Sequence, residues 1–158
     1  MSYIEKSEFA GQLIGSKVID QYIRGGKGAV TLKSPSGKHY SYQFRYPVKE
    51  QRGEFPRGTM FVYVLVGHRT WQYVGMLKSD RKLHHTRASK FSVDSEIFKG
   101  ARYIVKMMNF DFDTPMTLMH QGVCSVCGRK LTSPKSIPLG IGPRCLKNLA
   151  VDNDTVDE

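Results

Sequence analysis

The chain has three cysteines, and all of them fall in its last third: Cys124, Cys127 and Cys145. Cys124-Ser125-Val126-Cys127-Gly128 forms a CxxC-Gly turn, and 17 residues separate Cys127 from Cys145. Two thiolates at this spacing converge on one point, and a following glycine accommodates the positive φ that such a turn often needs. Gly140-Ile141-Gly142-Pro143-Arg144-Cys145 reads as a tight loop feeding a helix. Pro143 suits the first helical position, which puts Cys145 in the first turn, where the helix dipole favours a thiolate. A knuckle followed by a helix N-terminus is the arrangement of a treble-clef-like zinc finger. Three clustered cysteines cannot all pair, and in a reducing cytosol this favours metal over disulfide.

A structural zinc ion takes four ligands and leaves no open position. His120, three residues ahead of the knuckle on a short apolar strand (116–119), is the first candidate for the fourth ligand. His84, His85, Asp113 and Asp152 are weaker candidates. The expected cofactor is therefore structural Zn2+. A catalytic zinc would need a base, and no Glu lies between positions 97 and 157, which argues against deaminase- or peptidase-like chemistry. His84-His85 without a paired metal loop is a poor nuclease motif. A redox CxxC would need a βαβ setting that this chain lacks. The sequence thus predicts no enzyme and no small-molecule substrate, with nuclease-like activity as the remaining enzymatic alternative.

Charge points to the partner. Lys and Arg number 24 against 14 Asp and Glu, a net charge of +10. The last eight residues hold four acids and no base, so residues 1–150 carry +14. A body this basic attracts polyanions, and the attraction should weaken steeply with salt. The densest basic stretch runs from 78 to 90, with Lys78, Arg81, Lys82, Arg87 and Lys90 as candidate contacts. Arg129, Lys130, Arg144 and Lys147 join them from the cysteine region. A charged stretch is also a common defence of a sheet edge against aggregation. Two functions remain in view. One is a nucleic-acid-binding accessory protein. The other is a protein-binding inhibitor or modulator of a host complex, such as a polymerase, a nuclease or an anti-phage defence system, including anti-CRISPR-like action. Exposed aromatics opposite the core would favour the second, and an aligned Lys/Arg stripe the first. No apolar run approaches the roughly 20 residues that cross a bilayer, and Met1 to Lys6 lack a signal-peptide pattern. The expectation is a soluble cytoplasmic protein.

The elements that must position these residues follow from periodicity. Residues 3–15 have the spacing of a short amphipathic helix, weakened by Gly11 and Gly15. Arg24 to Gly28 is a loop. From 29 to 46 the period is two, with a turn at Ser34-Pro35-Ser36-Gly37, which predicts a hairpin. Its stripe Tyr40, Tyr42, Phe44 and Tyr46 is read as a core face in preference to a base-stacking platform. Residues 47–59 form a polar loop. Phe61 to Val66 is a strand apolar on both faces, turning at 67–70 into a partner over 71–77. Asp94 or Ser95 caps a helix running to about Met108, with Ile97, Phe98, Ala101, Ile104, Val105 and Met108 inward.

The segment Cys124-Ser-Val-Cys-Gly-Arg-Lys-Leu-Thr-Ser-Pro-Lys-Ser-Ile137, with Gly140-Ile-Gly-Pro-Arg-Cys145, resembles a zinc-knuckle domain family of unknown function common in phage and prophage proteins. Its pattern is roughly CxxCGRxLxxPxS followed by GxGPxC, and the likeness covers residues 120–149. The resemblance implies a viral setting, hence the host cytoplasm, and no mechanism. The expected architecture is α+β: an antiparallel sheet of four or five strands packed by one main helix, with a C-terminal treble-clef-like zinc finger. Residues 1–112 form the β-rich domain, 113–150 a zinc-knuckle module packed on it, and 151–158 an acidic disordered tail.

Overall fold

Alternating apolar and polar residues produce most of the sheet. A computed structural model of the chain describes residues 11–67, 69–121 and Val126. In it β2 (Ala29–Lys33) and β3 (His39–Arg45) form the expected hairpin, with Val30 opposite Tyr42 and Leu32 opposite Tyr40. Gly37 turns the chain at φ 92°, its N–H bonded to the Ser34 carbonyl. β4 (Met60–Val66) and β5 (Thr70–Leu77) follow as a second antiparallel pair, and β6 (Leu83–His84) adds a short edge within the basic stretch.

Among the described residues there are seven antiparallel strands where four or five were expected. β7 (Thr117–His120) returns beside β2, and β1 (Gly11–Gln12) pairs with β7, giving the order β1-β7-β2-β3-β4-β5-β6. β7 is the short apolar strand expected at 116–119, one residue further along, whereas β1 and β6 are two residues long, too short for periodicity to register.

The helix expected over 3–15 is corrected where it can be seen, since residues 1–10 lie outside the described residues. Gly11 and Gln12 are strand, and Gly15, at φ 94°, separates them from α1 (Ser16–Arg24). Ile19, Tyr22 and Ile23 give α1 its buried stripe at helical spacing. Gly15 offers α1 no side-chain cap. The carboxylate of Asp111 accepts from the Ser16 N–H at 2.7 Å instead, from 95 residues away. The second helix, α2 (Glu96–Asn109), is as expected. Ser95 is the cap, its hydroxyl accepting from the Phe98 N–H at 3.1 Å. The polar loop 47–59 contains a 3₁₀ helix, Lys49–Glu54.

Both helices lie on one face of the sheet. Ile19, Tyr22 and Ile23 of α1, with Phe98, Ala101, Ile104, Val105 and Met108 of α2, meet Tyr42, Phe44, Met60, Val62, Val64, Val74 and Leu118 from the strands. The core reading of the 40–46 stripe holds for Tyr42 and Phe44, which are buried, and in part for Tyr40. Tyr46 is exposed. A bulge in β5 keeps this face apolar: Val62 opposes Gly75 and Tyr63 opposes Tyr73, so Val74 is the extra residue. Val74 and Leu77 both point inward as a result, while Trp71, Tyr73 and Met76 share the other face.

Candidate metal ligand and nucleic-acid interface

His120 ends β7, fixed between Gly11 of β1 and Val30 of β2. It has no exposed surface, and its ring centroid lies 5.7 Å from that of Tyr22. The Tyr22 hydroxyl donates to the Ala29 carbonyl at 3.0 Å, so α1 and the start of β2 jointly set the wall behind the imidazole. Gly28 makes this possible, because a Cβ there would sit 2.2 Å from the Tyr22 oxygen. His120 is thus a buried imidazole at a strand end, with three residues between it and Cys124, and a neutral imidazole is a common zinc donor. Cys124, Cys127, Cys145 and Asp152 lie outside the described residues. So do the expected finger and acidic tail, apart from Val126. Among the described residues no three His, Cys, Asp or Glu side chains converge as a metal-holding group. Of the alternative ligands, His84 Nε2 lies 2.7 Å from Asp80 Oδ2, His85 Nε2 donates to the Phe91 carbonyl at 3.1 Å, and Asp113 is exposed.

The basic stretch 78–90 is pinned at several points. The Lys90 N–H donates to the Tyr73 carbonyl at 3.1 Å, and the Thr86 hydroxyl donates to the Tyr73 hydroxyl at 3.0 Å. The stretch therefore runs along the edge of β5, with Lys78, Lys82, Arg87 and Lys90 exposed. Arg81 differs from these four. It stands at φ 65°, and its guanidinium reaches Asp20 of α1 (2.9 Å) and Asn109 of α2 (2.8 Å), while Asn109 Nδ2 donates back to the Arg81 carbonyl. Arg81 thus ties the 78–82 turn to both helices. Arg129, Lys130, Arg144 and Lys147 lie outside the described residues.

The sheet face opposite the helices carries a second apolar cluster that sequence reasoning left undivided from the core. Phe61, Tyr63 and Leu65 of β4 and Trp71, Tyr73 and Met76 of β5 are half-buried, and none of them packs against the core cluster. Tyr63 meets Tyr73 edge-on at 5.8 Å, Phe61 meets Tyr73 at 6.2 Å, and Phe55 stands across Phe61 at 5.2 Å. The Arg45 guanidinium, held by Gln43 Oε1 at 2.7 Å, lies 4.4 Å from the Tyr63 ring centre and 5.7 Å from that of Trp71. Burial raises the Tyr73 phenol above its ordinary range despite the Thr86 hydrogen bond, so the ring stays neutral. None of the seven described strands contains Asp or Glu. The carboxylates of Asp20, Glu96 and Asp111 sit on or beside the two helices instead. The signal available in the sequence was the strand 61–66, apolar on both faces beside a single expected main helix.

No helix among the described residues is long and apolar enough to cross a membrane. Neither a curated protein nor a solved structure matches the chain. Residues 117–150, which comprise β7 and the whole cysteine segment, match the model of a family of unknown function, DUF6011.

Proposed function

We propose that this chain is a small basic phage-type accessory protein that binds nucleic acid, its C-terminal segment folded around a structural zinc ion. Cys124, Cys127 and Cys145 supply three thiolates, and His120 closes the tetrahedron in a treble-clef-like finger. The zinc assignment is supported by the CxxC-Gly turn, the Gly-Pro-Arg-Cys145 helix start and the fixed, buried imidazole of His120. The viral setting, and with it action in the host cytoplasm, is supported by the likeness of residues 120–149 to the zinc-knuckle pattern of phage and prophage proteins. The observation that carries the nucleic-acid reading is the set of exposed cations, Lys78, Lys82, Arg87 and Lys90, in the stretch along the sheet edge, where the one acid, Asp80, is bonded to His84 and the Lys82 N–H.

The test has two parts. Metal analysis of the purified chain should find about one zinc per chain, and Cys127→Ser should lose it together with the fold of the C-terminal segment. Affinity for an oligonucleotide should fall linearly with salt on logarithmic axes. Replacing Lys78, Lys82, Arg87 and Lys90 together by Gln should flatten that slope by about three. Full zinc occupancy in Cys127→Ser sinks the metal assignment, and an unchanged slope in the quadruple variant sinks the phosphate contacts.

A second reading, a modulator of a host protein complex, is favoured by the half-buried rings opposite the core, since Tyr, Trp and Arg also anchor protein interfaces. A stoichiometric host protein that stays bound through nuclease treatment and salt is the result that selects it.

A further inference from the structure

The outer face of β3, β4 and β5 has the three ingredients of a single-strand platform: partly exposed rings, a fixed cation among them and no carboxylate on the strands. We propose that this face binds single-stranded nucleic acid by stacking bases on Trp71, Tyr63 and Phe61, with Arg45 held between them for a phosphate. The inference rests on the nucleic-acid reading above and adds the surface and the state of the strand.

Half-buried aromatic rings grouped outside a core expose apolar area to water, an arrangement that marks interaction sites. Bases stack on such rings regardless of sequence, because every base has a π face. Only an unpaired strand offers those faces, since in a duplex they are hidden in the stack. Arg45 is held over Tyr63 and near Trp71 by Gln43, so it is poised before ligand arrives. The cluster continues past Phe61 to Phe55, which lines a groove of about 580 Å³ together with Arg52 and Arg57. On the other side, the Tyr73 carbonyl accepts from the Lys90 N–H, where the basic stretch ends its run along the edge. A strand crossing the rings would thus have cations at both ends of its path. The described strands carry no carboxylate, so a protein occupant would find no acid on them to pair with its own bases, whereas a phosphate backbone brings only acceptors to Arg45.

Trp71 is the only tryptophan in the chain, so its emission reports on the proposed platform directly. The full-length protein is titrated with a labelled oligothymidylate, with a duplex of equal length and with inorganic polyphosphate. Binding is read by anisotropy and stacking by Trp71 quenching. The expected result is tight binding of the single strand with quenching, weaker duplex binding, and polyphosphate binding without quenching. Tyr63→Leu and Phe61→Leu should each weaken single-strand binding by about tenfold or more with little effect on polyphosphate, and melting curves will show that each variant folds. Single-strand binding without quenching, at equal affinity in both variants, overturns the platform and leaves the nucleic-acid reading standing. Failure to bind any of the three ligands overturns both. A host protein that shields Trp71 from acrylamide while oligothymidylate does not bind overturns the platform in favour of a protein interface.

Discussion

Replacing Gly100 by Ala should destabilise this protein, although the same change in an exposed helix stabilises it. Gly100 sits inside α2, where Ala is ordinarily favoured by about 0.5–1 kcal/mol. Here the helix approaches β3 so closely that an added Cβ would lie 2.3 Å from the Tyr42 hydroxyl oxygen and 3.3 Å from its ring. That hydroxyl donates to the Ile97 carbonyl at 2.8 Å, and Tyr42 has no exposed surface. The methyl must push the hydroxyl off its acceptor, at about 1–3 kcal/mol for a buried unsatisfied donor, or lift the helix from the sheet, at a similar cost in overpacking. The net loss is about 1–2 kcal/mol, or roughly 2–8 °C in Tm for a chain of this size. Tyr42→Phe removes the obstructing oxygen, so in that background Gly100→Ala should be neutral or stabilising. Urea unfolding of the four proteins in the cycle measures the coupling, expected at about 1.5–3 kcal/mol. Equal effects of Gly100→Ala in both backgrounds would refute the close approach as the reason for glycine.

Two further predictions concern the elements that hold the sheet and its cover together. Asp111→Ala removes the carboxylate that caps the N-terminus of α1 and should cost about 0.5–1 kcal/mol in urea unfolding, whereas Asp111→Asn should cost less because its amide oxygen can still accept. The Glu96 carboxyl is held below the usual carboxylate range, first by its bond to Lys38 and then by that from Tyr40. A lowered folded-state value means that the native chain binds fewer protons. Its contribution is therefore present above the unfolded value near 4.5 and is lost as pH falls through the folded one. Urea midpoints of wild type and Glu96→Gln should differ slightly at pH 7 and converge near pH 2, and a gap that persists at pH 2 would contradict this.

The sequence made the long elements legible where one periodicity acted over enough residues. The 29–46 hairpin and α2 came through with their facing residues, because Tyr42, Phe44 and the Phe98–Met108 stripe each repeat on a single face. What was lost depends on distant partners. β1 and β6 are two residues long and exist only because β7 and β5 are there to pair with them. α1 was missed although Ile19, Tyr22 and Ile23 have helical spacing, since its start is set by Gly15 and by a carboxylate 95 residues away. The bulge at Val74 was invisible for the same reason, being defined by two strands at once. The metal constellation is the reverse case: Cys124, Cys127 and Cys145 speak through residue type and spacing alone, and only His120 among its expected ligands falls in the described fold. The ring platform needed the fold, because Phe61, Tyr63 and Trp71 look like core residues until both helices are seen on the opposite face.

His120 faces the helices, in the row that contains Val30 and Tyr42, whereas the rings point away from them. β7 is also three strand spacings from β4, about 14 Å across the sheet. If zinc is bound through His120, the free energy of binding is folding free energy for whatever the imidazole anchors. The first elements affected are β7, β1 and the Tyr22 side of α1. Chelation should therefore raise native-state amide exchange in Gly11–Leu13, Ile19–Ile23 and Leu118–His120 while exchange in β4 and β5, and Trp71 emission, stay unchanged. His120→Ala should reproduce that pattern without chelator. If Trp71 emission shifts in step with metal loss, the metal and the rings belong to one cooperative unit and the two-site picture fails. If exchange in β7 and α1 does not respond to chelation, the fourth ligand is not His120.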